Sequence, residues 1–435
     1  MPEASHSTSS DGACSTVKSS VLCWSAVFVI SLALTSGIGT VFSKVLSAKR
    51  APDYLNYYRP FAQSLLAGRG MTTPAGNFST RTAPGYPLFL AGVFRLADAL
   101  RIERETVVIA ILVLLHALTA VMVGGFAGRL WTRKAAVVAA ILWTTYPLAL
   151  WLIPMAISET PYIPILLGAM MLFWISISRA KISYGVLLVS GLCLGMAMLF
   201  RPSALPFPLA VAVILLSRTD RAWRQRVAAT SVFLGAVVIA ILPWEIYAYG
   251  HCGQVVPITS VGPASIVDGL TYATPDRIKD DSPAVPVWVP NDVGALMADL
   301  RAKSLAGEMT SSRDVHVWLF EQAKRHPLAL AKLVGLKVVR CWYATDSHRW
   351  ELAILIIQLP YLGLALAGGI SMWRKGGRQR QLAVLVVLVV LCNWMMTIMV
   401  VSMARYMVPI APFLLLLVPA AWNAREVPCA VVRPS

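Results

Sequence analysis

Ala51–Gly70 reads APDYLNYYRPFAQSLLAGRG and, after a polar, turn-rich segment, Arg81–Pro87 reads RTAPGYP. This is the first long hydrophilic interval of the chain, and it follows an apolar run long enough to cross a bilayer. One carboxylate, Asp53, stands there among tyrosines and arginines. No other stretch crowds reactive side chains so closely. The pattern from Tyr54 to Ala67 is helical and closes at Gly68, a residue suited to the left-handed turn that ends helices.

The flanks of this interval set the fold class. Of 435 residues, 57% are hydrophobic and only 14% are charged, against about 25% charged in soluble domains. Val21–Phe42 matches the roughly 20 apolar residues that span lipid. It is too long for a signal-peptide core, and the segment before it is long and hardly basic. Further apolar runs cover Thr106–Gly128, Ala135–Ile153, Thr160–Ile177, Tyr184–Phe200, Ala204–Ser217, Val227–Tyr249, Leu352–Met372, Leu382–Met403 and Met407–Trp422. The chain therefore reads as an all-α polytopic membrane protein with about ten transmembrane helices. Residues 1–20 are Ser/Thr-rich and read as a disordered tail, with a second tail at 423–435.

A net charge of +17 would suit a nucleic-acid partner if the cations were clustered on a soluble face. Here they sit in short loops between apolar runs, which is the positive-inside pattern, and no nucleic acid is expected. One such loop holds Arg129, Arg133 and Lys134, and another Arg179 and Lys181. Two more hold Arg218, Arg221, Arg224 and Arg226, and Arg374, Lys375, Arg378 and Arg380. The alternate short loops carry only Arg201 and Arg405. Placing the basic set and both termini in the cytoplasm keeps 44–105 outside. Pro84–Leu100 then lies along the outer interface as an amphipathic helix rather than crossing. The other external region, 250–350, opens loop-like and becomes helical from Ala295 to Arg340, with Leu296, Leu300, Leu305, Val317 and Phe320 as apolar positions. Residues 21–249 and 351–422 form the two transmembrane regions.

Seven cysteines occur without any CxxC pair, so no metal framework is indicated. Cys23, Cys193 and Cys392 fall inside apolar runs. Cys252 and Cys341 bracket the external region and are the pair that an oxidising compartment would allow to join.

Several residues suit chemistry as well as structure. Asp53, after Pro52, fits a helix N-cap and equally a general base. Glu159, in Ile157-Ser158-Glu159-Thr160-Pro161, is either a solvated first-turn acid that favours the helix dipole or a functional carboxylate at the membrane boundary. Arg201 and Arg405 stand at outer helix ends where the charge pattern leaves no other cation. They either snorkel to headgroups or grip an anion such as phosphate. Arg81 is a third external arginine. The Gly124/Gly128 and Gly191/Gly195 spacings are helix-packing signals.

In order along the chain, Asp53-Tyr54 with Leu65-Leu66-Ala67-Gly68, Arg81-x-x-Pro84-Gly85-Tyr86-Pro87-Leu88, Ser158-Glu159-Thr160, Arg201-Pro202, Pro243-Trp244 and Arg405-Tyr406-x-x-Pro409 resemble the GT-C superfamily of membrane glycosyltransferases. The branch they resemble is the family 39-like group of protein mannosyltransferases and lipid A aminoarabinose transferases. The resemblance implies inverting transfer from a polyprenyl-phosphate sugar on the external, periplasmic face of a bacterial-type inner or plasma membrane. The acceptor would be a lipid, a glycan or a protein. It assigns Asp53 as base, Glu159 as second site carboxylate, Arg81, Arg201 and Arg405 to the donor phosphate, and Tyr54, Tyr57, Tyr86 and Tyr406 to the substrate lining. Two departures leave the acceptor and any divalent metal open: Tyr54 follows Asp53 where protein mannosyltransferases have Glu, and Glu245 follows Trp244 where a basic-Asn pair is frequent. The competing class is a secondary transporter or lipid flippase, for which Gly/Pro-interrupted helices in both halves would speak.

Overall fold

Apolar segments in lipid find no water for their amide groups, so they close their hydrogen bonds internally and become helices. The computed structural model describes residues 23–37, 50–179, 181–260, 262–271, 289–309, 311–345 and 350–422. Both expected tails lie outside the described residues, as do Asp346 and His348, which the sequence places beside the external region. Among the described residues the architecture is all-helical, with a single antiparallel bridge between Thr72 and Phe78 in the first loop.

The chain opens with α1 (Cys23–Gly37), then a π-helical turn at Tyr54–Tyr58 that runs into α2 (Arg59–Leu66) and α3 (Gly85–Leu100). There follow α4 (Arg104–Ala127), α5 (Arg133–Thr144), α6 (Pro147–Met155), α7 (Glu159–Ile177), α8 (Tyr184–Phe200), α9 (Pro202–Leu216) and α10 (Trp223–Cys252). The region expected to be external supplies α11 (Gly262–Thr271), α12 (Asn291–Leu305), α13 (Ser312–Arg325) and α14 (Pro327–Arg340). The chain returns with α15 (Glu351–Lys375), α16 (Gly377–Met399) and α17 (Ala404–Trp422), whose ends are 3₁₀ turns.

Six of these, α4, α7, α10, α15, α16 and α17, are long and apolar enough to cross a membrane. The α5–α6 pair, bent by 44°, makes a seventh if it is one span. α1, α8 and α9 are apolar but shorter. Among the described residues, the ten apolar runs of the sequence thus correspond to six full-length helices, one bent pair, two short helices and the described part of the first run, α1. The break has a local cause. Pro147 at the start of α6 forces Tyr146 into an extended conformation, and the α5 ladder ends before it.

α8 is sandwiched between α7 and α10. At Gly191 and Gly195 any side chain would run into the α10 backbone at Phe233 and Val237. That is the close approach small residues permit where lipid gives apolar helices no hydrophobic reason to associate. Gly124 does the same for Trp24 of α1 and Ala140 of α5, whereas Gly128 only makes ordinary contact with Trp24 and Ala136. α7 and α17 are the most enclosed spans, with 78% of each apolar window buried, against 22% for α15. Both of these central helices begin at the same end of the bundle, with Glu159 and Arg405 in their first turns.

The basic loops gather at the opposite end. Lys375 lies over the ring of Trp131, 5.8 Å from its centre, so 129–134 and 374–380 are neighbours. Arg218 donates to Ile177 O at 2.6 Å and Arg221 to Arg179 O at 3.2 Å, which joins the other two loops.

α3 forms over the expected segment and lies on α2 and α4, burying Tyr86, Leu90, Val93, Phe94 and Ala97 while Leu88, Leu96 and Leu100 are exposed. α11–α14 build a small core of their own around Val267, Leu270, Val293, Leu300, Val315, Trp318 and Leu333. Leu296 and Leu300 are buried as the pattern requires. Leu305, Val317 and Phe320 are not: Leu305, the last residue of α12, is 80% exposed, and Val317 and Phe320 are 50% and 61% exposed because Val315 and Trp318 set the inward face of α13 instead. Cys252 and Cys341 are both free, the second fully buried.

Lys337, on α14, is 1% exposed and donates from Nζ to Val400 O at 3.0 Å. Burial pulls its amine down to about 7, with the Cys341 thiol opposing weakly. An unfolded lysine titrates near 10.4, so between about pH 7 and 10 the unfolded chain holds the extra proton. Stability should therefore rise as pH increases through that window and flatten below it. Thermal unfolding of the detergent-solubilised protein at pH 6.5, 8 and 9.5 should show this rise. Lys337→Met should flatten it, and an unchanged slope in that variant would refute the assignment.

Candidate active site

At the end of the bundle away from the basic loops lies a cavity of about 450 Å³. Its polar wall carries Asp53, Tyr57, Tyr58, Arg81, Ser158, Glu159, Arg201, Arg405 and Tyr406. Its lining also carries apolar side chains: Leu205, Ile266, and Met396, Met399, Val400 and Met403 at the end of α16 and just beyond it. Methionine there gives a surface that adapts its shape to what it covers.

The first loop supplies one accessible acid of the cavity, and Asp268 of α11 is another. Asp53 already has helical angles (φ −60°, ψ −39°) and makes no side-chain capping bond, whereas an N-cap requires extended backbone. The capping reading of the sequence is therefore overturned: Pro52 has turned the chain into the helix one residue earlier. The Asp53 carboxylate, 40% exposed, instead accepts from Arg405 Nη2 at 3.1 Å. The π-helical turn that follows matters for direction. In an α-helix, residue i+5 points about 140° away from residue i. In a π turn, the i to i+5 hydrogen bond brings that side chain back over i. Asp53, Tyr57 and Tyr58 consequently all line one cavity.

The register of the loop is fixed by the end of α6, whose last carbonyls have no helical partners. The first loop caps three in succession: Arg50 Nη1 donates to Pro154 O at 2.7 Å, Ala51 N to Met155 O at 3.1 Å, and the Tyr86 hydroxyl to Ala156 O. Ala156 is left-handed (φ +54°), which reverses the chain into Ser158 and Glu159.

Glu159 is not the solvated first-turn acid that its position allowed. Its side chain is 3% exposed and meets Arg201 Nη1 at 2.7 Å, and the same nitrogen donates to Ser158 Oγ at 3.0 Å. Arg201 lies 5.2 Å and Arg405 4.6 Å from the centre of the Tyr406 ring, so one aromatic ring holds two guanidiniums. Arg405 also donates to the Tyr406 hydroxyl. Tyr58 packs edge-on against Tyr86 at 4.8 Å and reaches Ser158 Oγ at 3.5 Å. Burial, with the Asp53 carboxylate nearby, raises the Tyr58 phenol above its usual range, so it stays a proton donor.

Arg81 is exposed at the rim, 4.8 Å over the Tyr57 ring. Its strand-like segment is stitched to the loop after α10: Ser260 N donates to Thr80 O at 2.9 Å, and Thr259 Oγ1 to Arg81 O at 2.8 Å. That loop is held in turn by the Trp244-Glu245 pair. Trp244 Nε1 donates to Ile258 O and Ile258 N to Glu245 Oε1, both at 2.9 Å. Ile258 has φ +62°, a strained angle for a β-branched residue that these two bonds hold in place.

Of the residues singled out from sequence, Asp53, Glu159, Arg81, Arg201, Arg405, Tyr57 and Tyr406 all line this cavity. Tyr54 and Tyr86 do not. Both are 0% exposed in the core behind it, where Tyr54 donates to Glu105 Oε1 at 2.8 Å. Tyr58 was missed, because helical spacing from Asp53 would send it elsewhere. Arg50 and Glu105, partners at 3.0 Å, were missed too, since 55 residues separate them. Among the described residues no three of His, Cys, Asp and Glu gather as a metal site would need.

The second half of this wall falls within a recognisable sequence pattern. Residues 81–244 match the profile of the dolichyl-phosphate-mannose-protein mannosyltransferase family. The match covers Arg81, Glu159, Arg201 and Trp244 and stops short of Asp53 and Arg405, so it spans rather more than a third of the chain. This is a likeness of that part of the chain to the family. No curated protein matches the chain. The mannosyltransferase profile thus covers the enclosed ion pair, while the accessible one comes from flanking segments.

That division is open to a direct test. Glu159→Gln leaves a guanidinium that is 13% exposed without its counter-charge, at a cost of about 3–5 kcal/mol. Asp53→Asn removes a carboxylate that water already screens. In thermal unfolding Glu159→Gln should lose several degrees and Asp53→Asn little. Equal losses would contradict the assignment of Glu159 as the structural member.

Proposed function

We propose that the protein transfers a sugar from a polyprenyl-phosphate donor to an acceptor on the external face of the membrane, with inversion at the anomeric carbon. The observation that carries this reading is the pairing, in one cavity, of a half-exposed carboxylate and three arginines with an apolar methionine wall. A polyprenyl phosphate has the same two-part chemistry. The isoprenoid lies against Met396, Met399 and Met403. The phosphate meets Arg81, Arg201 and Arg405, whose planar guanidiniums match its oxygens.

The acceptor hydroxyl or amine attacks the anomeric carbon from the side opposite the phosphate. Asp53 takes the acceptor's proton as the new bond forms. The anomeric C–O bond breaks, and its electron pair leaves with the polyprenyl phosphate, whose growing charge the arginines neutralise. Phosphate is a good leaving group, so general-base assistance of about 10²–10⁴-fold suffices beside that electrostatic stabilisation. Glu159 holds Arg201 in place and, being enclosed in that pair, takes no proton. Tyr57 and Tyr406 offer ring faces to the sugar and to the arginines. The acceptor class, whether lipid, glycan or protein, is set outside this group of residues.

In washed membranes supplied with labelled polyprenyl-phosphate sugars, Asp53→Asn should reduce turnover by about 10²-fold or more while undecaprenyl phosphate still binds. Arg405→Ala and Arg201→Ala should weaken that binding strongly, and Lys should rescue only in part. Wild-type turnover in the Asp53→Asn variant would remove Asp53 as base.

The proposed sidedness follows from the basic loops lying at the end away from the cavity. With Cys252→Ser as background, cysteines introduced at Ala75 and Asn291 should react with an impermeant thiol reagent in intact cells, and one at Thr219 should not. The reverse pattern would invert the protein.

A further inference from the structure

Behind the π-helical turn, on the side away from the cavity, is a second charged cluster that the transfer chemistry does not use. Glu105, in the first turn of α4, divides its two oxygens: Oε2 takes Arg50 Nε at 3.0 Å, and Oε1 takes the Tyr54 hydroxyl at 2.8 Å. Arg59 Nε stands 3.8 Å from Oε1. The side chains are enclosed, 27% exposed for Arg50 and 24% for Glu105, and Tyr54 is fully buried. Arg50 and Tyr54 straddle Asp53 in sequence, so this one carboxylate grips the chain on both sides of the proposed base. Arg50 also reaches Pro154 O at 2.7 Å, tying the grip to the turn that carries Glu159.

A π turn is a costly local geometry that the chain adopts in single turns and that often marks a functional site. Pro60, two residues past the turn, lacks the N–H that would close an α-helical bond to Asn56 O, so the helix is loosened here from within. Tyr54, the first residue of the turn, is in addition held from outside by Glu105. We propose that Glu105, acting through Tyr54 and Arg50, is a positioning residue that keeps the turn wide so that Asp53 and Tyr58 face the reacting centre together. Without it the start of the turn is free to shift, and Asp53 and Tyr58 no longer hold the face they share. The proposal rests on the transferase reading for its catalytic consequence, and on geometry alone for the clamp.

The test uses the full-length protein in detergent, with Glu105→Gln as the main variant and Tyr54→Phe as the milder one. The second keeps the Arg50–Glu105 ion pair should the first fold poorly. Hydrogen–deuterium exchange over 50–66 should rise selectively in both, more in Glu105→Gln. Turnover per folded molecule should fall by roughly ten- to a hundredfold, since small misplacement of a reacting group has effects of that order. Affinity for undecaprenyl phosphate and the KM for donor should stay unchanged, which a general loss of structure would not allow. Unaltered exchange overturns the clamp, and raised exchange with wild-type kcat overturns its positioning role. A wild-type protein that moves no sugar would count against the transferase reading, and the exchange data would still judge the clamp.

Discussion

A guanidinium enclosed at the edge of a membrane must be given a counter-charge, and at Arg201 that charge is Glu159, 2.7 Å away and 3% exposed. Taking both ions out of water costs several kcal/mol each before their attraction repays it. The surroundings have to be rigid for the repayment to hold. Here the pair joins the first turn of α7 to the end of α8, and the Tyr406 ring brings in the start of α17. Two of these helices are the most enclosed spans of the bundle. The polar end of the protein is therefore built on one ion pair, with the second, Asp53–Arg405, set beside it in a wetter position.

In the proposed reading, the contrast between the two pairs separates scaffold from chemistry. Both are an acid and an arginine, yet the Asp53 side chain is 40% exposed. A proton acceptor needs access to the acceptor substrate and to water-screened space in which its charge can change. An enclosed carboxylate bound by a guanidinium has neither. The distinction is one of burial alone, since the residue types are alike.

The region between α10 and α15 is coupled to the cavity by short, specific bonds. Trp244 and Glu245 at the end of α10 fix the strained Ile258, and the next two residues hydrogen-bond to Thr80 and Arg81. Gly269 of α11 lies so close to the Val400 carbonyl that no side chain fits there. Ser265, Ile266 and Asp268 of the same helix face the cavity. The glutamate that departs from the frequent basic-Asn pair thus has a structural task, the anchoring of this loop.

Much of the fold was written in composition. Runs of about 20 apolar residues must be helices in lipid, and the alternation of basic loops assigns those loops to one end of the bundle. Most of the proposed site residues were legible as well, because Asp53, Arg201 and Arg405 broke a local pattern where they stood. Sequence could not tell which spans are full-length, since proline bending and helix ends depend on neighbours. Nor could it tell that Asp53 is no cap, that Tyr54 and Tyr86 turn inward, or that Tyr58 turns to the cavity. Those outcomes depend on a π turn that shifts the helical period between Tyr54 and Tyr58. That turn stands beside a carboxylate, Glu105, far along the chain. Local pattern specifies which side chains a segment carries; the direction in which they point was decided by contacts between segments that meet only when the bundle closes.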